Sequence, residues 1–285
     1  MSKDLFDLTG KTAVVTGGGG VLCRTMAADL ASCGAKVAIL DLRKDAATCV
    51  ADEIKAAGGE AIGVECNVLN KESIEAACAE VLAAFGSGID ILINGAGGNS
   101  PKATTSKERL MPEDLGEAIE GVKTFFDLDP DGVSFVFNLN FLGTLLPTQV
   151  FGKEMARTGG GVILNVSSMN AFRPLTKIPA YSAAKAGISN FTQWLATHFA
   201  TVNIRVNAIA PGFFLTDQNR FLLTEEGTGA LTERGKTIIA HTPMGRFGTP
   251  EDLSGTLRWL VSDASGFVTG IVVPVDGGFS AFSGV

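Results

Sequence analysis

The chain has 285 residues, 46% of them hydrophobic and 19% charged, with a formal net charge of -7. That is apolar material enough for one large α/β domain and unlike a disordered chain, and an acidic balance without a basic stripe argues against a nucleic-acid partner. No apolar run reaches the roughly 18 residues of a membrane-spanning helix, and the polar start Met1–Gly10 is unlike a signal peptide, so the expected location is cytoplasmic.

In chain order, Thr12–Thr16 reads as a strand, followed by a glycine run and a helix over Leu22–Cys33. Lys36–Asp41 is a second strand, Asp45–Ala57 a helix stopped by Gly58 and Gly59, Ala61–Glu65 a third strand, Lys71–Phe85 a helix and Ile89–Asn94 a fourth strand. Runs such as "AVV" and "ILI" suit strands buried on both faces, and strand–helix alternation implies right-handed crossovers in a parallel, doubly wound sheet. The pattern resumes with a long helix over Val133–Arg157, a strand at Gly161–Val166 and a helix over Ala180–Ala200. It ends with strands at Ile204–Ile209 and Ile271–Val275 on either side of a helix at Glu251–Val261. No linker, internal repeat or low-complexity tract divides the chain, so one domain over 1–285 is expected. Two long intervals, Asn99–Pro130 and Phe213–Phe247, follow strand C-termini, where ligands bind in open α/β sheets.

All five cysteines fall in the first third of the chain without a CxxC pair, and there are two histidines, His198 and His241. Neither a structural zinc site nor a disulfide framework is expected; the thiols read as buried and free, and His241 as a surface or interface residue.

The first glycine run, Thr16-Gly17-Gly18-Gly19-Gly20-Val21-Leu22-Cys23, has the strand–turn–helix context that lets backbone approach a pyrophosphate at a helix N-terminus. A flexible turn is the plain alternative. Asp41 closes the second strand about 20 residues on, where an acid meets ribose hydroxyls and repels a 2′-phosphate. This favours NAD, although Arg43 nearby leaves NADP open and an Asp at a strand end also serves as an ordinary turn residue.

Tyr181 is the only tyrosine, and Lys185 stands four residues later, on the same face of a helix. An ammonium favours phenolate, and moving a phenol from about 10 to near 7 takes roughly 4 kcal/mol of differential stabilisation. Lysine and a cationic nicotinamide together are candidates for it; alone, the pair also fits an ordinary helix surface. Around it, Ser168 in "LNVSS" lies just past a strand, placed to orient a carbonyl or alcohol. Asn140 sits mid-helix in "FNLNFLGTLLPTQ", where propensity is poor and a polar role is indicated. "INGAGG" puts glycines where the chain passes close to a ligand.

Taken together, Gly17 in the Thr-Gly loop, "NGAG" at Asn94–Gly97, Asn140, Ser168, Tyr181-x-x-x-Lys185 and "PG" at Pro211-Gly212 resemble the short-chain dehydrogenase/reductase family, in its order and spacing over essentially the whole chain. The resemblance implies a Rossmann fold of about seven parallel strands, a homotetramer, and hydride transfer by the cofactor with the protein supplying position and proton. It implies Tyr181 as general acid/base, Lys185 on the nicotinamide ribose, Ser168 on the reacting oxygen, Asn140 holding a relay water and Thr216 on the carboxamide. Gly17, Gly19, Gly20, Val21, Leu22, Asp41, Asn67, Val68, Asn94, Ala96, Gly97, Pro211, Gly212 and Phe214 complete the cofactor set. Two departures stand out: Val21 and Cys23 occupy the second and third glycine positions of TGxxxGxG, and Asn67-Val68 replaces the Asp-Val pair at the adenine.

"TGGGGVLC", "GAGGNSPKATT", "SSMNAFRPLTKIPAYSAAK", "APGFFLTDQNR" and "HTPMGRFG" resemble a subgroup, the bacterial D-mannonate oxidoreductases or fructuronate reductases, which implies a sugar-acid substrate and NAD. Such a substrate needs a cation for its carboxylate and polar groups for its hydroxyls. Asn99, Lys102, Ser168, Asn170, Arg173, Asn219 and Arg220 are the candidates, each alone also compatible with a solvated loop. A gluconate, a keto-deoxy sugar acid or a polyol is the neighbouring reading, and a non-catalytic NAD sensor the one from another class.

Overall fold

The computed structural model describes residues 4–86, 88–116, 120–216, 220–225 and 227–284. Its centre is a parallel seven-stranded sheet: β1 (Thr12–Thr16), β2 (Lys36–Asp41), β3 (Glu60–Glu65), β4 (Ile91–Asn94), β5 (Gly161–Val166), β6 (Ile204–Pro211) and β7 (Val272–Val275). The spatial order is β3-β2-β1-β4-β5-β6-β7. Chain direction across the sheet therefore reverses between β1 and β4, whose registers pair Thr16 with Asn94. A crevice opens at such a switch point because the loops leaving the two strands part to opposite faces.

The strands are apolar without alternation because both faces are covered. Ala13 and Val15 of β1, Val37 and Ile39 of β2, and Ile91 and Ile93 of β4 belong to one core. It is closed by α1 (Val21–Ser32), α2 (Lys44–Ala56) and α9 (Ser254–Val261) through Met26, Leu30, Ile54 and Leu257. The intervening Val14, Ala38, Leu40 and Leu92 face a second core, closed by α3 (Lys71–Phe85), α5 (Gly143–Thr158) and α6 (Pro179–His198) through Ile74, Val81, Phe151, Met155 and Leu195. All of β1 and β4 and the inner residues of β2 thus remove their side chains from water, at about 25 cal/mol per Å² of apolar surface buried.

The expected helix over Val133–Arg157 is two helices. α4 (Pro130–Phe137) starts earlier, at an Asp129 cap whose side chain accepts the Asp131 amide, and it passes through a π turn at Asn138–Leu142 before α5. The interval from Phe213 is not all loop either: α7 (Arg220–Leu223) and α8 (Glu233–Ala240) lie within it. Among its described residues the Asn99–Pro130 segment carries three short 3-10 turns. Among the described residues all five cysteines are free thiols, no cluster of metal-binding side chains occurs, and no helix is long and apolar enough to cross a membrane.

α1, which presents the glycine loop, is tied to α9 by Arg258, whose Nε donates to both carboxylate oxygens of Asp29 at 3.0 and 2.9 Å. The Asp29 side chain is 8% exposed and that of Arg258 42%, so the pair is half-screened. Replacing Asp29 with Asn is expected to lower unfolding free energy by about 1–3 kcal/mol, the cost of a charged hydrogen bond lost in partial burial. Urea denaturation checks this; an unchanged midpoint would remove the pair as a tie between the two helices.

Candidate active site

The glycine run turns sharply after β1. Gly17 has φ +64°, and a Cβ there would stand 2.8 Å from the Ala96 Cα, so the backbones at the ends of β1 and β4 touch where a side chain has no room. The Gly19 amide donates to Asp41 at 3.0 Å, and the other Asp41 oxygen accepts the Arg43 amide at 3.1 Å. The acid at the end of β2 thus fixes the glycine turn and remains partly exposed at its rim. α1 begins at Val21 with Gly20 as its cap; no side chain caps it and no acid lies in its first turn. The amides of that turn are the donors a helix leaves for an anion.

The missing third glycine has a structural compensation. Cys23 is buried, and a Cβ on Gly95 would fall 2.2 Å from its Sγ. The close helix–strand contact is kept by moving the glycine from the helix to the end of β4. Burial pushes the Cys23 thiol up to about 12, opposed by the nearby Lys185 ammonium.

Tyr181 and Lys185 lie on the first turns of α6. Tyr181 is half-buried beside Ala103, Val136 and Ala180. Lys185 is buried, its Nζ donating to the Val166 carbonyl at 2.8 Å and lying 5.6 Å from the Tyr181 ring centroid. Burial lowers its pKa to about 8, which leaves it largely protonated at neutral pH. In the polypeptide itself burial raises the Tyr181 phenol, and the polar contact of the Ser168 hydroxyl pulls it back. In the polypeptide alone the neighbour lowering it is Ser168. Ser168 opens a short turn after β5, its hydroxyl accepting the Asn170 amide at 3.3 Å.

Asn140 occupies the π turn, fully buried. Its Nδ2 donates to the carbonyls of Gly98 and Val136 at 2.7 and 2.8 Å, and its Oδ1 accepts the Gly98 amide at 3.3 Å. The extra residue of the π turn sets this side chain toward the chain leaving β4, and a Cβ on Gly97 would meet both Asn140 Oδ1 (2.7 Å) and Lys185 Nζ (3.2 Å). Asn140, Gly97 and Lys185 thus converge, with Ser168 and Tyr181 alongside.

Other expected positions divide. Val68 is buried against Gly143; Asn67 is exposed, its Oδ1 accepting the Leu69 amide at 3.0 Å. Leu22 and Ala96 pack partly into the two cores, and Pro211 and Gly212 end β6 with the Gly212 amide on the Val275 carbonyl. Asn94 turns inward instead, its Nδ2 donating to Thr148 and Asn165 at 2.9 Å each, because β4 ends with that side chain in the second core. Phe214 is likewise buried in the first core, so only its backbone remains for a ligand. Thr216 is partly buried, and its carbonyl accepts the Arg220 amide at the start of α7.

Of the substrate candidates, Asn99 donates to the Thr104 hydroxyl at 3.0 Å, and Asn170 is buried with an Oδ1 that has no partner among the described residues. Lys102 points outward to Asp129 at 3.4 Å, with 69% of its side chain exposed. Arg173 is exposed and donates to the Ser280 carbonyl at 3.2 Å. Arg220 is exposed, and Asn219 lies outside the described residues. The sequence did not signal the Cys23–Gly95 exchange, since nothing local links the two positions.

The profile of the short chain dehydrogenase family matches residues 11–227. A Bacillus subtilis oxidoreductase named UxuB, itself uncharacterised, is 55% identical over 280 residues, covering 98% of each chain. A solved Haemophilus influenzae structure with bound NAD, provisionally named a D-mannonate oxidoreductase, superposes with TM-score 0.92 at 54% identity over 98% of each chain. At 31% identity over 97% of each chain, the Escherichia coli 7alpha-hydroxysteroid dehydrogenase is also similar, so substrate varies across the family. The chain belongs to the short-chain dehydrogenase/reductase family and is an oxidoreductase acting on alcohol groups.

Proposed function

We propose that this enzyme interconverts D-mannonate and D-fructuronate with NAD, using Tyr181 as the general acid/base. The observation that carries the catalytic reading is the convergence of Tyr181, Lys185, Ser168 and Asn140 beside a glycine turn. The uncapped α1 amides and the Asp41 carboxylate fit a dinucleotide: the amides of Val21 and Leu22 would take the pyrophosphate, and Asp41 the adenosine ribose diol. Gly17, Gly19 and Gly20 would let the backbone approach, and Asn67, Val68, Ala96, Gly97, Pro211, Gly212, Phe214 and Thr216 would line the rest of the cleft. NAD, when bound, supplies the hydride acceptor and a positive ring.

The residues would then work as follows. Ser168 orients the substrate oxygen. Tyr181, as phenolate, takes the hydroxyl proton as the C–H hydride leaves, and returns it in the reductive direction. Lys185 stabilises the phenolate and binds the nicotinamide ribose, held by the Val166 carbonyl. Asn140 holds the chain after β4 in place and would hold the water of a relay from Lys185.

The substrate reading rests on the 54% identical NAD-bound relative named for D-mannonate, with the Asn99–Thr104 pair after β4 and the buried, orphaned Asn170 oxygen beside Ser168 as polar groups that suit substrate hydroxyls. A gluconate, a keto-deoxy sugar acid or a polyol remains the second reading. We further propose a cytoplasmic homotetramer, consistent with the exposed Trp194 and Phe267.

A panel of D-mannonate, D-gluconate, 2-keto-3-deoxygluconate and D-mannitol with NAD or NADP, followed by reduced-nicotinamide absorbance, tests this. D-Mannonate with NAD should give the highest kcat/KM, with NAD favoured over NADP by about tenfold or more, since Asp41 repels a 2′-phosphate. Silence with D-mannonate and turnover of another compound would replace the assignment.

A further inference from the structure

A sugar acid needs a cation for its carboxylate, and two of those nearest the chemistry in sequence are engaged elsewhere: Lys102 with Asp129 and Arg173 with the Ser280 carbonyl. Lys177, which the sequence did not single out, differs from both. It lies between Ser168 and Tyr181, four residues before the phenol, and is half-buried. Its backbone has φ +73°, one of two non-glycine residues in the left-handed region among those described. Such a conformation is costly for a side-chain-bearing residue and persists where surroundings impose it. Here the Thr105 amide donates to the Lys177 carbonyl at 2.9 Å, joining the segment after β4 to the segment that starts the Tyr181 helix.

The ammonium of Lys177 has no ion-pair partner among the described residues. The other half-buried lysines do have partners: Lys36 faces Glu60, Lys107 faces Asp114, and Lys123 donates to the Pro101 carbonyl. In a chain with 30 acids against 23 bases, a partly desolvated cation that pairs with none of them is matched to an anion from outside. The wall beside it is polar, with Asn99 bonded to Thr104 and Thr105 next in the chain.

We propose that Lys177 binds the substrate carboxylate and so sets the enzyme's preference for sugar acids over neutral polyols. This rests on the sugar-acid reading above. The carboxylate and the oxidised carbon lie toward opposite ends of the hexonate, so a cation one loop away from Tyr181 suits the end that does not react. The Thr105 hydrogen bond and the left-handed backbone fix the position of Lys177 in the segment that leads into the Tyr181 helix.

The test compares wild type with Lys177→Asn and Lys177→Arg, using D-mannonate and its neutral amide, D-mannonamide. Asn tolerates the left-handed backbone and removes the charge, so the melting temperature should hold. For D-mannonate, Lys177→Asn should raise KM about 10- to 100-fold, the range of a lost charge-assisted hydrogen bond, with kcat and NAD affinity within about threefold. D-Mannonamide kinetics should not respond to that change, and Lys177→Arg should recover most of the D-mannonate KM. An unchanged KM for D-mannonate, or an equal loss with the amide, would overturn the assignment of Lys177 while leaving the substrate reading intact. Wild type that oxidises only neutral polyols would overturn both; wild type that prefers another sugar acid would overturn the D-mannonate reading alone, and that acid and its amide then enter the same comparison.

Discussion

Replacing Tyr181 with Phe should lower kcat/KM for D-mannonate oxidation by about 10³- to 10⁴-fold, the upper part of the range for removing a positioned acid/base, with NAD affinity changed by less than about threefold. The ring is held by Ala103, Val136 and Ala180, and Phe keeps every one of those contacts. What disappears is the hydroxyl that Ser168 faces and that burial, in the polypeptide, holds above its ordinary pKa. That raised value has a consequence for the wild type. Oxidation needs the phenolate, so its rate should climb with pH until the phenol is titrated, whereas reduction needs the phenol and should fall over the same range. A cationic nicotinamide moves the midpoint down without changing either direction. Initial rates over pH in both directions, together with a fluorescence titration of NAD, measure this. Turnover in the Phe variant near the wild-type level would take Tyr181 out of the chemistry.

The sheet was legible because its strands are apolar at consecutive positions, a pattern that only burial on both faces explains, and both cores use alternate residues of the same strands. The Tyr181–Lys185 pair was legible for a different reason: helical spacing places two polar side chains on one face, whatever the rest of the fold does. Asn140 stands out in the sequence as an unusual residue for a helix, but the π turn that aims it at Gly98 depends on a contact 42 residues away in sequence, which local propensity does not carry. α7 and α8 were hidden for a related reason. They are short, and glycines surround them, so the interval reads as loop although the Thr232 side chain caps α8 through the Gly235 amide. Side-chain commitments were the least legible. Asn94, Lys102 and Arg173 have the right chemistry near the right strands, yet their partners Thr148, Asp129 and the Ser280 carbonyl come from other parts of the chain. Lys177 reverses this, because its isolation from carboxylates is a property of the fold and no motif announces it.

Replacing Lys185 with Met should reduce kcat/KM by about 10²-fold or more and also change how stability depends on pH. The ammonium is buried, with the Val166 carbonyl as its hydrogen-bond acceptor at 2.8 Å, and burial brings its pKa from 10.5 to about 8. In the unfolded chain the amine regains the ordinary value. Between about pH 8 and 10.5 the unfolded chain therefore holds this proton more tightly than the native one, and the Lys185 contribution to stability rises with pH across that window, while the raised thiols Cys23, Cys66 and Cys78 contribute in the opposite sense. Above it both states carry the neutral amine; below it both are protonated and the cost of burying the charge is complete, on the order of 3 kcal/mol. Methionine keeps the buried stem and removes the titration, so that rise should be absent from the variant. The absolute difference at one pH is less telling, because the Val166 carbonyl also loses its donor. Urea unfolding of both proteins at several pH values isolates the slope, and parallel curves would mean that Lys185 is not desolvated. Loss of the Lys185 contribution from the difference between the two profiles, together with lost turnover, would show that the charge that burdens the fold is the one that serves the phenolate. In the Tyr181→Phe/Lys185→Met double variant the activity losses should fall well short of multiplying, since an ammonium that acts through the phenol has little left to do once the phenol is gone.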